Sequence, residues 1–336
     1  MSEVRWTARL SSPKFAALLL GLALALAVSF MALDFRLASS QVVTIQTKAT
    51  KGPVSLEDPF ASVWSQAPPV EVPLSAQMTS FPFGGGAVRA ITARALHDGQ
   101  RLYVLVEWED ATEDLYAEAP QNYRDAAAIQ FPAVQKDTVP NFCMGQADGH
   151  VNIWQWKADW QADVDVGAAP LAQTYPNAVS DFYPEDQDET FYPGRAVDNP
   201  LSETVRTSPV ENLMAGGFGT LTHADVQPVQ GVGRWKEGKW RVVFARDLQA
   251  EGTGLAQFAA GQGADIAFAV WDGASGERDG QKSVSQFVRV ELAIAAGGGE
   301  TSANAVIAIV VPLVALLVVG SGVGWILYRR QSSARP

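Results

Sequence analysis

From Asn141 to Trp160 the chain reads Asn-Phe-Cys-Met-Gly-Gln-Ala-Asp-Gly-His-Val-Asn-Ile-Trp-Gln-Trp-Lys-Ala-Asp-Trp, which sets the thioether of Met144 on a Gly-flanked loop before a Trp-rich strand. Other metal donors are scarce: one cysteine, Cys143, and three histidines, His97, His150 and His223. That inventory excludes a Cys-rich zinc site and an iron–sulfur cluster, and no Cys-x-x-Cys-His is present to attach a c-type haem. A cofactor therefore has to be held by Met, Lys, His or oxygen. Taken alone, Met144 is the flexible filler of a β core. Its context adds Gly145, which would let backbone approach a flat ring, and the broad apolar faces of Trp154 and Trp156. His150, six residues after Met144, is the rival donor with His97 or His223, although no His pair has metal-type spacing.

A second segment, Ile266 to Leu292, carries two strand-like stretches around a turn-rich loop on which Lys282 sits. In these two segments the chain resembles the haem b-binding gamma subunits of the type II dimethyl-sulfoxide-reductase family, such as those of ethylbenzene dehydrogenase, dimethylsulfide dehydrogenase, and chlorate and selenate reductases. The residues that carry the resemblance are Met144-Gly145, Val151-Asn152-Ile153-Trp154-Gln155-Trp156-Lys157-Ala158, and Val270-Trp271-Asp272-Gly273 followed by Glu277-Arg278, Gly280 and Lys282-Ser283. Weaker similarity at Trp240 to Leu248 extends it over most of the span from Asp58 to Leu292. The resemblance implies one haem b whose iron is held axially by Met144 and Lys282, with Trp154 and Trp156 beside it. It also implies electron transfer for a molybdenum-cofactor catalytic subunit and an iron–sulfur subunit. A lysine that binds iron must present a neutral amine, and burial together with competition from the metal drives off its proton. Two neutral axial donors favour ferrous iron and leave no position open for substrate. Lys157 and Arg278 are candidates to meet haem propionates, against the plainer reading of solvated surface charge. Cys143 reads as a small buried hydrophobe, made sensitive to oxidation by an adjacent ligand.

Two apolar, uncharged runs bound the chain: 19 residues from Phe15 to Leu33 and 23 from Ala305 to Leu327. Each reaches the roughly 20 residues that a helix needs to span a bilayer. Arg5, Arg9 and Lys14 precede the first and Arg329, Arg330 and Arg335 follow the second, so the positive-inside rule places both termini in the cytoplasm and everything between them outside. Ala38-Ser39-Ser40 offers a signal-peptide cleavage site, but the length of the first run and the intervening Asp34 and Arg36 favour an uncleaved anchor. The organisation expected is a cytoplasmic N-terminus at 1–14, a transmembrane helix or signal anchor at 15–33, a linker at 34–57, a haem-binding domain at 58–297, a linker at 298–304, a transmembrane helix at 305–327 and a cytoplasmic tail at 328–336.

With Glu3 and the six terminal cations set aside, 35 acids face 19 bases, a balance of −16 for the outer part. That charge argues against nucleic acid and anionic lipid headgroups, and suits solubility or docking of a basic soluble electron carrier. Apolar and polar residues alternate in short bursts: Leu102, Val104, Val106 and Trp108 against Arg101, Tyr103 and Glu107, and likewise at 87–95, 126–131, 151–156, 240–245, 266–271 and 286–292. Turn signals fall between them at Asp98-Gly99, Glu237-Gly238 and Asp272-Gly273. No comparable stretch has a long helical period. The fold class expected is all-β, an antiparallel β-sandwich flanked by one N-terminal and one C-terminal transmembrane helix. Thr50 to Pro73 reads as a Pro-rich spacer, and Ala162 to Gly233 as a long wrapping segment with short strands or turns. Its acidic run Asp181 to Glu189 lacks the Asp-x-Asp-x-Asp-Gly spacing of a calcium loop.

No Gly-x-Ser-x-Gly, phosphate-binding loop or His-Glu-x-x-His is present, so no catalytic residue is assigned. The function expected is a membrane-anchored b-type cytochrome of a respiratory oxidoreductase. The alternative is a haem-free cell-surface sandwich in which Trp154, Trp156 and Trp271 bind a ligand or protein. The topology is directly testable. A reporter active only in the cytoplasm should be active when fused after Pro336 and silent when fused near Gly297; the reverse pattern overturns the outside placement.

Overall fold

The computed structural model describes residues 43–293 apart from 118, 137, 169–173, 178–192, 198 and 204. Both apolar runs and the acidic run 181–189 lie outside the described residues, among which no helix is long and apolar enough to cross a membrane.

The strands in chain order are β1 (Thr44–Gln46), β2 (Lys48–Ala49), β3 (Val70–Pro73), β4 (Ser75–Ala76), β5 (Ala90–His97), β6 (Arg101–Glu109), β7 (Ala126–Pro132), β8 (Val151–Lys157), β9 (Val210–Ala215), β10 (Thr222–His223), β11 (Gln230–Trp235), β12 (Lys239–Asp247), β13 (Gly263–Trp271), β14 (Ser283–Val284) and β15 (Val288–Glu291). Nine form one sheet in the order β1-β15-β13-β7-β8-β9-β10, with β14 bridging β13 to β4. Six form the second, in the order β11-β12-β6-β5-β2, with β3 on β5. Every pairing is antiparallel except β1 with β15 and β2 with β5. The all-β expectation holds, and the alternating bursts become the long strands of both sheets. At Lys236-Glu237-Gly238-Lys239 the two central residues have φ of 54° and 78°, the mirror-image turn whose twist suits a two-residue hairpin.

Between the sheets, residues of alternate strand positions interleave: Leu102, Val104, Val106 and Trp108 from β6, Ile129 and Phe131 from β7, and Trp154 and Trp156 from β8. Trp108, Trp156 and Trp240 form a cluster with ring centroids 4.9–6.5 Å apart. Each indole N–H of this cluster finds an oxygen, that of Trp108 on Asp110 at 3.3 Å, that of Trp156 on Gln161 at 3.2 Å and that of Trp240 on Asp125 at 2.9 Å. Arg246 is wholly buried over the rings of Trp154 and Phe258, 5.0 Å from each centroid, with its guanidinium donating to the Ala256 carbonyl.

Three expectations need correction. The 34–57 linker is not wholly linker, because β1 and β2 lie in it and pair with β15 and β5. The spacer at 50–73 is packed structure: Val54, Trp64 and Ala67 cover Leu96, Tyr103 and Leu105 on the outer face of the second sheet. β6 is therefore buried on both faces. The segment from 162 begins inside a helix, α1 (Ala158–Val166), whose Trp160 is stacked upon by Lys157 and Arg206 at 3.9 and 4.0 Å.

The tightness of the tryptophan cluster can be measured. Gly233 lies against Trp156 so closely that a Cβ there would fall far inside contact distance of Trp156 Cζ2. Gly233→Ala should destabilise the domain by about 1–3 kcal/mol through overpacking, read as a lower denaturant midpoint; an unchanged midpoint would mean that strand β11 can move away freely.

Candidate functional site

The outer face of the nine-stranded sheet is the floor of a cavity of about 790 Å³, within the range of roughly 300–1,000 Å³ typical of cofactor sites. Strand alternation decides which side chains face it. From β7 come Ala126, Ala128 and Gln130, from β13 Ala267, Ala269 and Trp271, from β8 Ile153, Gln155 and Lys157, and from β9 Glu211 and Leu213. Ala126 and Ala128 on β7 and Ala267 and Ala269 on β13, with Ala269 in register with Ala128, gather four small residues on adjacent strands. Alanines there leave room above a flat floor that larger apolar residues would fill.

Met144 enters from the loop before β8. Its φ of 67° is unusual for a residue with a side chain, and surrounding bonds hold it there. Gln130 accepts from Met144 N at 3.1 Å while its amide donates to the Phe142 carbonyl at 3.0 Å. Cys143 N reaches Asn141 Oδ1 at 2.7 Å, Gly145 N reaches the Asn141 carbonyl at 3.0 Å, and Gly217 N reaches the Met144 carbonyl at 2.9 Å. Gly145 has a job other than admitting a flat ring: a Cβ there would strike the Gly149 carbonyl and Val151, so its bareness closes the loop.

Lys282 enters from the loop between β13 and β14. Gln77 fixes that loop, donating from its side chain to the Gly280 carbonyl at 3.0 Å and from its backbone to the Lys282 carbonyl at 3.0 Å. The Lys282 N–H in turn donates to the Gly84 carbonyl at 3.2 Å. The side chain is buried, with Nζ 4.8 Å from the Trp271 ring centroid, and among the described residues no carboxylate or carbonyl lies within hydrogen-bonding distance of Nζ. Burial pushes its pKa down from the ordinary lysine value, as a donor nitrogen requires. Met144 and Lys282, from two distant loops, thus line one cavity. Beside them the Cys143 thiol, also on the wall, is pushed up by burial and stays protonated.

The other sequence candidates part company with these two. Trp154 and Trp156 are fully buried between the sheets, on the face of β8 opposite the cavity, because they alternate with Ile153, Gln155 and Lys157. His150 is exposed beside Gly216 and His97 is buried, and neither lines the cavity. Lys157 does line it, but as a buried partner of Glu211 and not as solvated charge. His223 joins them, its Nδ1 2.7 Å from Glu211 Oε1. Arg124, paired with Asp159 at 2.8 Å, and Arg278, over the Tyr123 ring at 4.6 Å, supply further cations on the wall.

Sequence reasoning missed Gln130, Glu211 and Asp125. Polar residues in the middle of apolar strands are the signal that exposes the first two. Asp125 is wholly buried at the start of β7 and accepts from Gly273 N, Asp114 N and Trp240 Nε1 at 2.8, 2.8 and 2.9 Å. It thereby ties the turn after β13 to the inter-sheet core. One oxygen each of Asp110, Asp125 and Asp272 lie within 4.8 Å of one another.

The fold is a β-sandwich with an alanine-floored cavity on its outer face, and sequence similarity identifies the family. A family model described as ethylbenzene dehydrogenase matches residues 61–283, and the chain belongs to that family. It is 28% identical over 232 residues to the putative respiratory nitrate reductase heme subunit ORF7 of Haloferax mediterranei, covering 69% of this chain and 66% of that one, a little under two thirds of its length. The gamma subunit of chlorate reductase from Ideonella dechloratans is 28% identical, over 68% of this chain and 75% of its own. The gamma subunit of dimethylsulfide dehydrogenase from Rhodovulum sulfidophilum is 27% identical, over 68% and 72%. A carbohydrate-binding module of family 9 from Caldicellulosiruptor kristjanssonii, solved with glucose, aligns over 78% of this chain and 99% of its own at 10% identity and a TM-score of 0.38, too slight a likeness to carry functional meaning.

Asp125 generates a pH prediction. Burial pushes its carboxyl up to about 7, against the bond from Gly273 and with the Asp110 charge adding to the rise. A folded pKa above the unfolded value of about 3.9 means that the folded state holds the extra proton. Its contribution is complete below about pH 4 and is lost as pH rises to about 7. The unfolding free energy should therefore fall between about pH 5 and 7 more steeply than in Asp125→Asn, whatever that variant costs in absolute stability. Equal slopes would mean that Asp125 is ionised in the folded protein throughout.

Proposed function

We propose that the chain is a membrane-anchored b-type cytochrome, the electron-transfer subunit of a respiratory oxidoreductase whose substrate chemistry resides in a molybdenum-cofactor subunit and whose further electron path includes an iron–sulfur subunit. One observation carries this reading. The two loops that the sequence marks as donor-bearing converge on one cavity, where Met144 offers a thioether held in a fixed backbone conformation and Lys282 a buried amine with no carboxylate in hydrogen-bonding reach among the described residues. The donor set fits haem iron, the alanine floor fits a flat macrocycle, and Arg124 and Arg278 on the wall fit its carboxylates. Haem bound there supplies one-electron exchange. Lys282 and Met144 would occupy both axial positions, so the residues leave no open coordination site and the role is transfer, not substrate turnover.

Membership of the family supports the electron-transfer role, and the relatives named as gamma or heme subunits support assembly with catalytic partners. The haem domain would stand on the extracytoplasmic side of the cell membrane, with both termini in the cytoplasm, as the apolar runs and their flanking cations require.

The full-length protein produced with ample haem should show a Soret band. Lys282→Ala should open one axial position to water or added imidazole and weaken haem retention, while leaving the fold intact because no buried charge loses its partner. Met144→His should keep six coordination and lower the midpoint potential, imidazole being the stronger donor to ferric iron. Wild-type spectra in both Lys282→Ala and Met144→Ala, with loss in His150→Ala, would replace this pair by a histidine ligand; absence of a Soret band from the wild type would favour the haem-free sandwich.

A further inference from the structure

The cavity wall holds a second polar group that axial ligation does not use. Lys157 from β8, Glu211 from β9 and His223 from β10 form a chain across three adjacent strands. Lys157 and Glu211 have side chains only 6% and 8% exposed, whereas His223 is 35% exposed. Glu211 is shared: Oε2 takes Lys157 Nζ, and Oε1 lies 2.7 Å from His223 Nδ1. The chain therefore leads from water, through one imidazole, to an ion pair on the wall of the space that also holds Met144 and Lys282.

Resting on the haem reading above, we propose that this group is a redox-linked proton site: when one electron enters the bound iron, His223 takes one proton from water, and it returns the proton when the electron leaves. In the balance, iron passes from ferric to ferrous at the expense of a one-electron donor such as a reduced metal cluster. The neutral ring of His223 becomes imidazolium at Nε2, with Nδ1–H still donating to Glu211. The local charge is thus the same before and after. Across a cavity of low dielectric the arriving electron is felt by groups on the wall, and the extra negative charge raises the proton affinity of His223.

The other groups facing the cavity are worse acceptors. Burial alone would push Glu211 up, but Lys157 and His223 hold it below the usual carboxylate range, hence ionised. Lys157 is held by Glu211 and stacks on Trp160. From the loops, Cys143 is already protonated, Lys282 is the proposed ligand, and Arg124 and Arg278 carry fixed charge, Arg124 with Asp159 bound to it. Asp279 offers a carboxylate on the loop that carries Lys282. Glu277 is the rival, since burial pushes it up, but both its oxygens accept backbone N–H groups, from Ala87 at 2.9 Å and Asp272 at 3.1 Å. Of the three histidines, His97 and His150 lie off the cavity and His223 lines it.

Spectroelectrochemical titration of the full-length haem-loaded protein between about pH 5.5 and 8.5 tests this. The wild-type midpoint potential should fall as pH rises, approaching about 59 mV per unit where one proton follows one electron. His223→Gln should keep its Soret band and flatten the dependence. His150→Gln, altered off the cavity, should keep the wild-type slope. A wild-type potential independent of pH overturns the proposal without touching the haem reading. So does an unchanged slope in His223→Gln, and loss of the slope in Glu277→Gln instead would move the proton to Glu277. Failure of the wild type to bind haem sinks the earlier reading, and this one with it.

Discussion

Everything in the site depends on β7, β8 and β13 being buried on both faces by different means. Toward the second sheet they present Phe131, Trp154, Trp156 and Phe268, which interlock with Trp108, Trp240 and Phe258. On the other side they present alanines, one isoleucine, Gln130, Gln155, Lys157 and, at the end of β13, Trp271. The period of two makes each face independent of its neighbour, so bulk accumulates on one side and space on the other without disturbing the hydrogen-bond ladder. The aromatic side makes the floor rigid. Against a rigid floor, two loops from distant parts of the chain can each be fixed by a few hydrogen bonds and still present their donors to a common space. Gln130 shows the coupling directly, since it stands on β7 and holds the Met144 loop with both ends of its amide.

Charge is arranged with the same economy. A buried cation ordinarily needs a carboxylate, and Lys157 has one in Glu211. Among the described residues Lys282 has none within hydrogen-bonding reach, and its burial favours the neutral amine against the opposing influence of Cys143 and Asp279. Two lysines on one cavity wall are thus prepared for opposite tasks by their neighbours: one stays charged within an ion pair, the other is stripped of the reason to be charged. Arg246, under the floor, follows a third course, keeping its charge while carbonyl oxygens and ring faces replace water.

Much of this was legible in the sequence. Alternation located β5, β6, β7, β8, β12, β13 and β15, because a half-buried or doubly buried strand writes its period into the chain, but not β9 or β11, which begin within the segment 162–233. The convergence of Met144 and Lys282 on one cavity was legible only through paired motifs; a lone Met or Lys says nothing of a cavity. Trp154 and Trp156 were placed beside the cofactor because they adjoin the motif, yet adjacency in a strand means opposite faces, and the residues that line the cavity are the less conspicuous Ile153, Gln155 and Lys157. β1, β2 and the packed segment 50–73 were illegible for another reason. Strands of two or three residues carry too few positions for a period, and Val54, Trp64 and Ala67 become core only where another part of the chain supplies Tyr103 and Leu105 to meet them.

The site can also be recognised by what a merely stable sandwich would not contain. Valine or leucine at Ala126, Ala128, Ala267 and Ala269 would bury more apolar area and favour the strand conformation more strongly. A methionine with φ of 67° is strained where glycine would not be, and a lysine buried with no carboxylate in hydrogen-bonding reach among the described residues costs stability that an apolar residue of similar length would not. Each departure alone has ordinary explanations. Four small residues, a methionine held in the left-handed region and a buried lysine with no carboxylate in hydrogen-bonding reach among the described residues share one: local stability yields there to an open cavity.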